Sequence, residues 1–279
     1  MKTSKRFSFA AIIAIIFAIA WALVTAFPFL FMVFTSIKEQ KELFKSSTIF
    51  ALPKSFYLGN YIEILTGNFV MYFKNSILVC VVGLIILIAS ASMASYVFSR
   101  LKFKINKLIF GIVIACMAIP IHATLIPVFL LTKEVGLYDN PLGLIGPYIA
   151  FNLPLSVFIL TGFMKGIPVE IEQAADVDGA SKVGIFLEIM LPLSVPGLAT
   201  LAIYNGINMW NEFVYAFVLT SSVKSRTLPL AIWEYQGQYG VNIPMVMTIL
   251  TLSALPMIIA FVIFQEKLIK GMMAGAVKG

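Results

Sequence analysis

Charge is the scarcest feature of this sequence. Only 12% of its 279 residues are Asp, Glu, Lys or Arg, whereas 60% are apolar. An ordinary soluble domain carries roughly twice that charged share. So little polar surface cannot cover so much apolar surface, which excludes a soluble enzyme. Intrinsic disorder is excluded too, because it requires low hydrophobicity. The two cysteines, Cys80 and Cys116, each sit in an apolar run and rule out a disulfide scaffold. The single histidine, His122, rules out a His-rich metal site. A Gly-rich phosphate loop ending in Gly-Lys-Ser/Thr is also missing. Gly179-Ala180-Ser181-Lys182 lacks the preceding spacing and the following hydroxyl, so the chain cannot hydrolyse ATP by that route. The net charge of +7 does not call for nucleic acid, since cytoplasmic loops of membrane proteins carry Lys and Arg for topological reasons.

What is present is a series of long uncharged runs. Phe7–Ile37, Asn75–Ser99, Leu108–Thr132, Asn140–Met164 and Tyr235–Gln265 carry no charge, and Ser194–Val223 carries only Glu212. A bilayer-spanning helix needs about 20 apolar residues. The runs therefore predict an all-α integral membrane protein of six spans, at 10–34, 76–98, 108–131, 143–164, 197–219 and 243–264. The first apolar stretch is too long for a signal-peptide core, so it reads as an uncleaved helix. Lys2, Lys5 and Arg6, then Arg100, Lys102, Lys104 and Lys107, then Lys267, Lys270 and Lys278 fall on one side of six spans. The positive-inside trend makes that side, and both termini, cytoplasmic. No linker divides the chain, so residues 1–279 read as one membrane domain. Pro28, Pro120, Pro127, Pro154 and Pro256 lie within spans, as kinks or as hinges.

One connection breaks the positive trend. Between spans four and five, residues 165–195 hold two lysines and five acids: Glu170, Glu172, Asp176, Asp178 and Glu188. Pro168 suits a first helical position, Val169–Val177 is helix-compatible, and Glu172 and Asp176 lie one turn apart. Asp178-Gly179 marks a turn with a possible left-handed cap, and Ser181 can cap a second short helix running towards Leu191 and Pro192. Two short helices with a tight bend make a rigid knob that suits a cleft on a cytoplasmic partner.

Glu172-Gln173-Ala174-Ala175-Asp176-Val177-Asp178-Gly179-Ala180, followed by Ile189-Met190-Leu191-Pro192, resembles the "EAA" signature of binding-protein-dependent ABC importer permeases. One departure stands out: Gln173 occupies the motif's glutamate position. Asn60-Tyr61, Gly136-Leu137, Trp210-Asn211-Glu212-Phe213, Thr227-Leu228-Pro229-Leu230 and the ending Gly271–Gly279 are similar to the smaller permease subunit of maltose-type carbohydrate importers. The resemblance runs from about residue 10 to the C-terminus. It implies a type I ABC importer permease fold in the cell membrane. It also implies a homologous second permease, two ATPase subunits that bind ATP and Mg, and an extracellular or periplasmic sugar-binding protein. The substrate would be a sugar, by expectation an oligosaccharide, and glycerol-phosphate uptake is the alternative within the family. The resemblance implies ATPase coupling through Glu172, Gln173, Ala174, Ala175, Asp178, Gly179, Ala180, Ile189, Leu191 and Pro192. It further implies that the tail 271–279, including Gly275, Lys278 and Gly279, reaches the ATPase. The glycines at 271, 275 and 279 make that tail a poor independent helix.

Candidates for the substrate path come from the residues themselves. Asn205, Asn208, Glu212 and Tyr215 recur at helical spacing and, on a continuous helix, share an arc of about 80°. A carboxylate facing lipid costs about 2.5–3.5 kcal/mol, so the stripe should face the bundle interior or a water-filled path. Hydrogen bonding between helices is the competing explanation. His122 is a second candidate, again against a helix-joining role. Trp210 and Trp233 are readable as interfacial anchors. The segment Ser221–Asn242, with Trp233, Tyr235, Gln236, Gln238 and Tyr239, either meets a binding protein or hugs the interface. From other classes, an ion-coupled transporter would want more buried carboxylates than Glu212, and an intramembrane enzyme would want a His/Asp or Ser/Lys dyad.

Overall fold

The computed structural model describes residues 9–43, 50, 52–237 and 240–276. Four helices are long and apolar enough to cross a bilayer: Ala11–Ser36, Phe69–Arg100, Pro141–Lys165 and Ile243–Ile263. Two further pairs pass the same test only as bent units, Asn106–Ala118 with Ile121–Glu134 and Lys182–Leu193 with Val195–Trp210. Counting each pair as one span gives six. Among the described residues the only extended structure is a two-residue antiparallel ladder, Gln236–Gly237 against Gly240–Val241.

The chain divides into two compact units. The first takes residues up to 69 together with 232–255. Its long helix α1 (Phe9–Ser36) is apolar along its length, and side chains such as Ile16, Phe17 and Leu23 are exposed. An apolar helix that buries so little against its own chain is suited to lipid. Order is imposed where α1 ends. Asn60, in α3 (Gly59–Thr66), donates to the carbonyls of Ser36 and Lys38, both at 2.8 Å. The Ser36 hydroxyl shares a 2.7 Å hydrogen bond with Tyr61. Thr248 of the last helix donates to the same Ser36 carbonyl. Asn60 thus satisfies carbonyls that a helix C-terminus leaves without partners, while Tyr61 holds the Ser36 hydroxyl. Between them lies the single turn α2 (Gln40–Leu43).

The second unit holds residues 70–231 and 256–279. It contains α4 (Phe69–Arg100), α5 (Asn106–Ala115), α6 (Leu125–Glu134), α7 (Ile145–Lys165), α8 (Val169–Val177), α9 (Lys182–Gly184), α10 (Leu191–Leu193), α11 (Val195–Trp210) and α12 (Val214–Leu219). The helix α13 (Ile243–Ala276) closes the chain. Two apolar cores hold this unit. One gathers Val79, Leu87, Leu144, Tyr148, Met209, Tyr215, Leu219 and Leu230. The other gathers Tyr96, Leu160, Met164, Ile185, Met190 and Leu201, and so joins α4, α7 and α11 to the segment 185–190.

Two expectations need correction, and the kink expected at Pro120 is sharper than an ordinary one: the chain bends by 95° around Ile119-Pro120. Pro120 has extended backbone (ψ 133°) and no N–H to continue the ladder. Span five, expected over 197–219, stops at Trp210 and restarts at Val214. The tail does not leave the helix at Gly271, since α13 runs on to Ala276. Extending an existing helix adds one hydrogen bond per residue fixed and avoids the cost of nucleation, so two glycines do not stop it. Residues 277–279, and with them Lys278 and Gly279, lie outside the described residues.

Candidate functional site

The acidic connection folds into a compact element. Pro168 takes extended backbone (φ −55°, ψ 132°) just ahead of α8, one residue before the helical position expected for it. The bend after α8 is closed by two backbone bonds, Gly179 N–H to Asp176 carbonyl at 3.1 Å and Ala180 N–H to Ala175 carbonyl at 2.9 Å. That is the Schellman arrangement, which requires a left-handed residue, and Gly179 has φ +85°. The Ser181 hydroxyl accepts from the Gly184 N–H at 3.0 Å and starts α9. The chain then continues as a π-helical segment, Ile185–Met190, into α10. Lys182 pairs with Asp176 at 2.8 Å across the bend, and that hydrogen bond raises the lysine above its ordinary pKa.

Two attachments hold this element to the bundle. Ile185 and Met190 are fully buried in the second core, with Ala175, Ala180 and Phe186 packed against it. The other attachment is polar. Arg100, the last residue of α4, forms an ion pair through Nε with Glu172 and donates from Nη2 to the Ile167 carbonyl at 2.7 Å. Both charged side chains are nearly buried, at 10% and 12% exposure. A desolvated carboxylate needs such a partner, since its uncompensated burial costs several kcal/mol. Glu172 therefore points inward. Gln173, Ala174, Val177, Asp178 and Gly179 face outward, and Val177 is 88% exposed. Of the remaining motif residues, Ile189 and Leu191 are half-buried and Pro192 is exposed. Sequence reasoning treated Arg100 as one more topological charge. Its role comes from a partner 72 positions along the chain and had no local signal.

The polar residues of span five do not form one stripe. Asn205 is buried in α11 and donates to Ser156 of α7 at 3.0 Å and to the Leu201 carbonyl. Asn208 is exposed. Glu212 sits in the break and accepts from the N–H groups of Tyr215 (2.9 Å) and Ala216 (3.2 Å), where it caps α12. Tyr215 is buried, and its hydroxyl shares a 2.6 Å hydrogen bond with Thr124 at the bend of span three. His122, in the same bend, is exposed. The helix interruption explains these divergent directions. Trp210 is no interfacial anchor: it is buried and meets Phe73 edge-on at 5.8 Å. Beside the span-three bend an open cavity of about 390 Å³ is lined by Cys116, Met117, Ile119, Thr124, Phe151 and their neighbours, with no charged residue among them.

The far end of the second unit is fixed by residues that sequence reasoning missed. Asp139 accepts from the backbone N–H groups of Ser221 and Ser222, both at 2.8 Å, and from the Ser225 hydroxyl. Its own N–H donates to the Leu219 carbonyl. Burial pushes this carboxyl up, but the three donors outweigh it and hold the pKa at about 2. The turn-forming run Asp139-Asn140-Pro141 was the available signal. Nearby, Asn75 donates to the carbonyls of Lys224 and Arg226, and Ser76 accepts from the buried Leu228, two residues before Leu230 of the first core. Gly136 (φ +74°) ends α6 with the same Schellman bonds as Gly179 ends α8. Of the segment after Ser221, Gln238 and Tyr239 lie outside the described residues.

A multi-span apolar bundle with a polar, motif-bearing element clamped to its helix ends is the membrane component of an energy-coupled transporter. The chain belongs to the family described as binding-protein-dependent transport system inner membrane component, which it matches over residues 86–273. It is a membrane-spanning ABC importer permease, a transport subunit whose ATPase is a separate chain. It is 50% identical to a putative ABC transporter permease protein of a Caldicellulosiruptor species, across the whole chain and 99% of that protein. It is 33% identical to the trehalose/maltose transport system permease protein MalG of Thermococcus litoralis, across 96% of this chain and 97% of that one. A solved bacterial ABC transporter involved in import of the acidic polysaccharide alginate contains a chain that superposes with a TM-score of 0.80 at 23% identity. That match covers 94% of this chain and 99% of its counterpart.

Proposed function

We propose that this permease carries a neutral sugar, an oligosaccharide by the company of its relatives, and that the element 165–195 transmits the ATPase cycle to the bundle. The observation that carries the second part is the split of α8 into two faces. Arg100 and the second core hold Glu172, Ala175 and Ala180 inward, which leaves Gln173, Ala174, Asp178 and Gly179 to meet a partner. A knob attached so firmly moves only with the helices behind it. The termini lie on the cytoplasmic side in this reading, which the Lys and Arg of 2–6, 100–107 and 267–278 support, and with six spans the element 165–195 shares that side. ATP and Mg belong to the two ATPase subunits. A second, homologous permease completes the pathway, and a sugar-binding protein delivers substrate to the opposite face. The tail is read as meeting the ATPase through the end of α13, where Gly275 is helical.

The uncharged lining beside the span-three bend favours a neutral sugar over a glycerol phosphate, since Phe151 and Thr124 offer a ring face and a hydroxyl but no cation. His122 lies in the bend of span three, Asn208, Glu212 and Tyr215 lie at or beside the break in span five, and Asn205 ties α11 to α7; in this reading they act around that path rather than line the cavity. The test replaces Gly179 with Trp and reconstitutes the permease with its partners. Sugar-stimulated ATP hydrolysis should disappear while the complex still inserts in the membrane. Unchanged stimulation would overturn the docking role.

A further inference from the structure

At the turn between α4 and α5 the surface forms an open concavity of about 760 Å³. Arg100, Lys102, Lys104, Lys107 and Lys165 line it, and no carboxylate does. Arg100 is already neutralised by Glu172. The four lysines are exposed, and among the described residues none has a carboxylate within ion-pair distance. Lys165 reaches the site from the end of a different span and lies 5.4 Å from the centre of the Phe110 ring, which fixes its direction without cancelling its charge. Lysines that served topology alone would repel one another and spread into water. Here lysines from the α4–α5 turn and from the end of α7 line one hollow.

The hollow lies at the bilayer edge, because α4 and α5 are both membrane helices joined by only five residues, 101–105. Large apolar side chains alternate with the lysines: Leu101, Phe103, Ile105 and Leu108 are exposed, Leu108 by 62%. Such a surface offers cations to a headgroup and an apolar wall to the chains attached to it. We propose that this concavity binds the phosphate headgroup of an anionic membrane lipid, with Lys102, Lys104, Lys107 and Lys165 as its ligands. The site rests on the membrane fold and is independent of which sugar is carried.

The experiment uses the permease purified with its partners from a membrane containing phosphatidylglycerol. Lipid retained through detergent extraction is counted by native mass spectrometry. The comparison is with a Lys102→Gln, Lys104→Gln, Lys107→Gln, Lys165→Gln variant, with ATPase recovery as the control for assembly. The variant should lose phosphatidylglycerol by at least about tenfold relative to phosphatidylcholine, as expected when several surface lysines near an anionic headgroup are neutralised. A single Lys133→Gln change, a lysine outside the concavity, should leave retention as it is. Equal retention by the fourfold variant and the wild type would overturn the site. Displacement of the lipid by inorganic phosphate at low concentration would overturn the lipid assignment in favour of a free phosphate ion.

Discussion

At its C-terminal end α7 is held by a charge pair, and before its N-terminal end by a carboxylate surrounded with neutral donors. Arg100 grips Glu172 and the Ile167 carbonyl just beyond Lys165. Asp139, six residues ahead of Ile145, rests in the cradle of Ser221, Ser222 and Ser225. Both ties join residues far apart in sequence, but they differ in what they demand. An ion pair depends on the charge of both members and can in principle be inverted. A cradle of N–H and O–H donors recognises an anion by geometry and admits no inversion. The charge pair sits at the element proposed to follow the ATPase, and the neutral cradle ties the connection before α7 to the one after α12.

The sharpest way to break this comparison is to remove Arg100. Arg100→Ala strands Glu172 in a nearly buried position and frees the Ile167 carbonyl. Breaking a buried pair costs about 3–5 kcal/mol, and the residual exposure of both side chains puts this case near 3. Thermal unfolding of the detergent-solubilised complex should fall clearly, together with sugar-stimulated ATPase activity. Reversing both charges, Arg100→Glu with Glu172→Arg, should recover part of the loss but not all, because a carboxylate at position 100 cannot donate to Ile167. Full recovery would mean that the carbonyl contact contributes nothing.

Asp139 comes next. Asp139→Ala leaves three donors without their acceptor, a loss of about 1–3 kcal/mol. Asp139→Asn keeps an acceptor oxygen and tolerates the left-handed backbone at φ 56°, so it should be milder. The carboxyl titrates near 2, below its ordinary 3.8. A depressed carboxylate pKa adds stability that is complete above the ordinary value and lost as pH falls through the native one. The wild type and Asp139→Asn should therefore converge in thermal stability only as pH drops from about 4 towards 2. A constant difference across that window would show that the charge plays no part.

Glu212 tests whether a carboxylate in a broken span behaves like Asp139. Both accept backbone N–H bonds, but Glu212 has two such donors and caps a six-residue helix. Glu212→Leu should cost about 1–2 kcal/mol, the range for losing a cap. Glu212→Gln should cost less. If sugar uptake falls equally in both variants while their stabilities differ, Glu212 acts on the substrate path and not only as a cap.

These contrasts also mark what could be read from the chain. Charge-free runs locate the four continuous spans because the bilayer sets a length that composition must meet. The bend at Gly179 is legible because only a few residue types accept a left-handed backbone, and Asp-Gly advertises it. The break at Asn211–Phe213 is hidden: hydropathy registers apolar content, not continuity of the hydrogen-bond ladder, and no proline marks the place. The stripe from Asn205 to Tyr215 failed for that reason alone. Arg100–Glu172 and Asp139–Ser225 were invisible because each joins residues whose neighbours in sequence say nothing of the partner.

The smallest expected effect separates strain from docking. Gly136 and Gly179 end their helices with the same bonds, at φ +74° and +85°, and a Cβ added at either meets nothing within 4 Å. Alanine at either position therefore pays only for the left-handed backbone, about 1 kcal/mol. For a chain of this size that is about 2–4 °C in thermal midpoint, the same for Gly136→Ala and Gly179→Ala. Their effects on ATP hydrolysis should differ. Gly136 follows α6, beside the Asp139 cradle, and is not part of the element proposed to enter the ATPase. Gly179 lies at the exposed bend of the element proposed to enter the ATPase, so its methyl should reduce sugar-stimulated hydrolysis beyond what the shared loss of stability explains. Equal ATPase activity in the two variants at equal thermal stability would leave the bend a structural cap and move the docking contact elsewhere on α8.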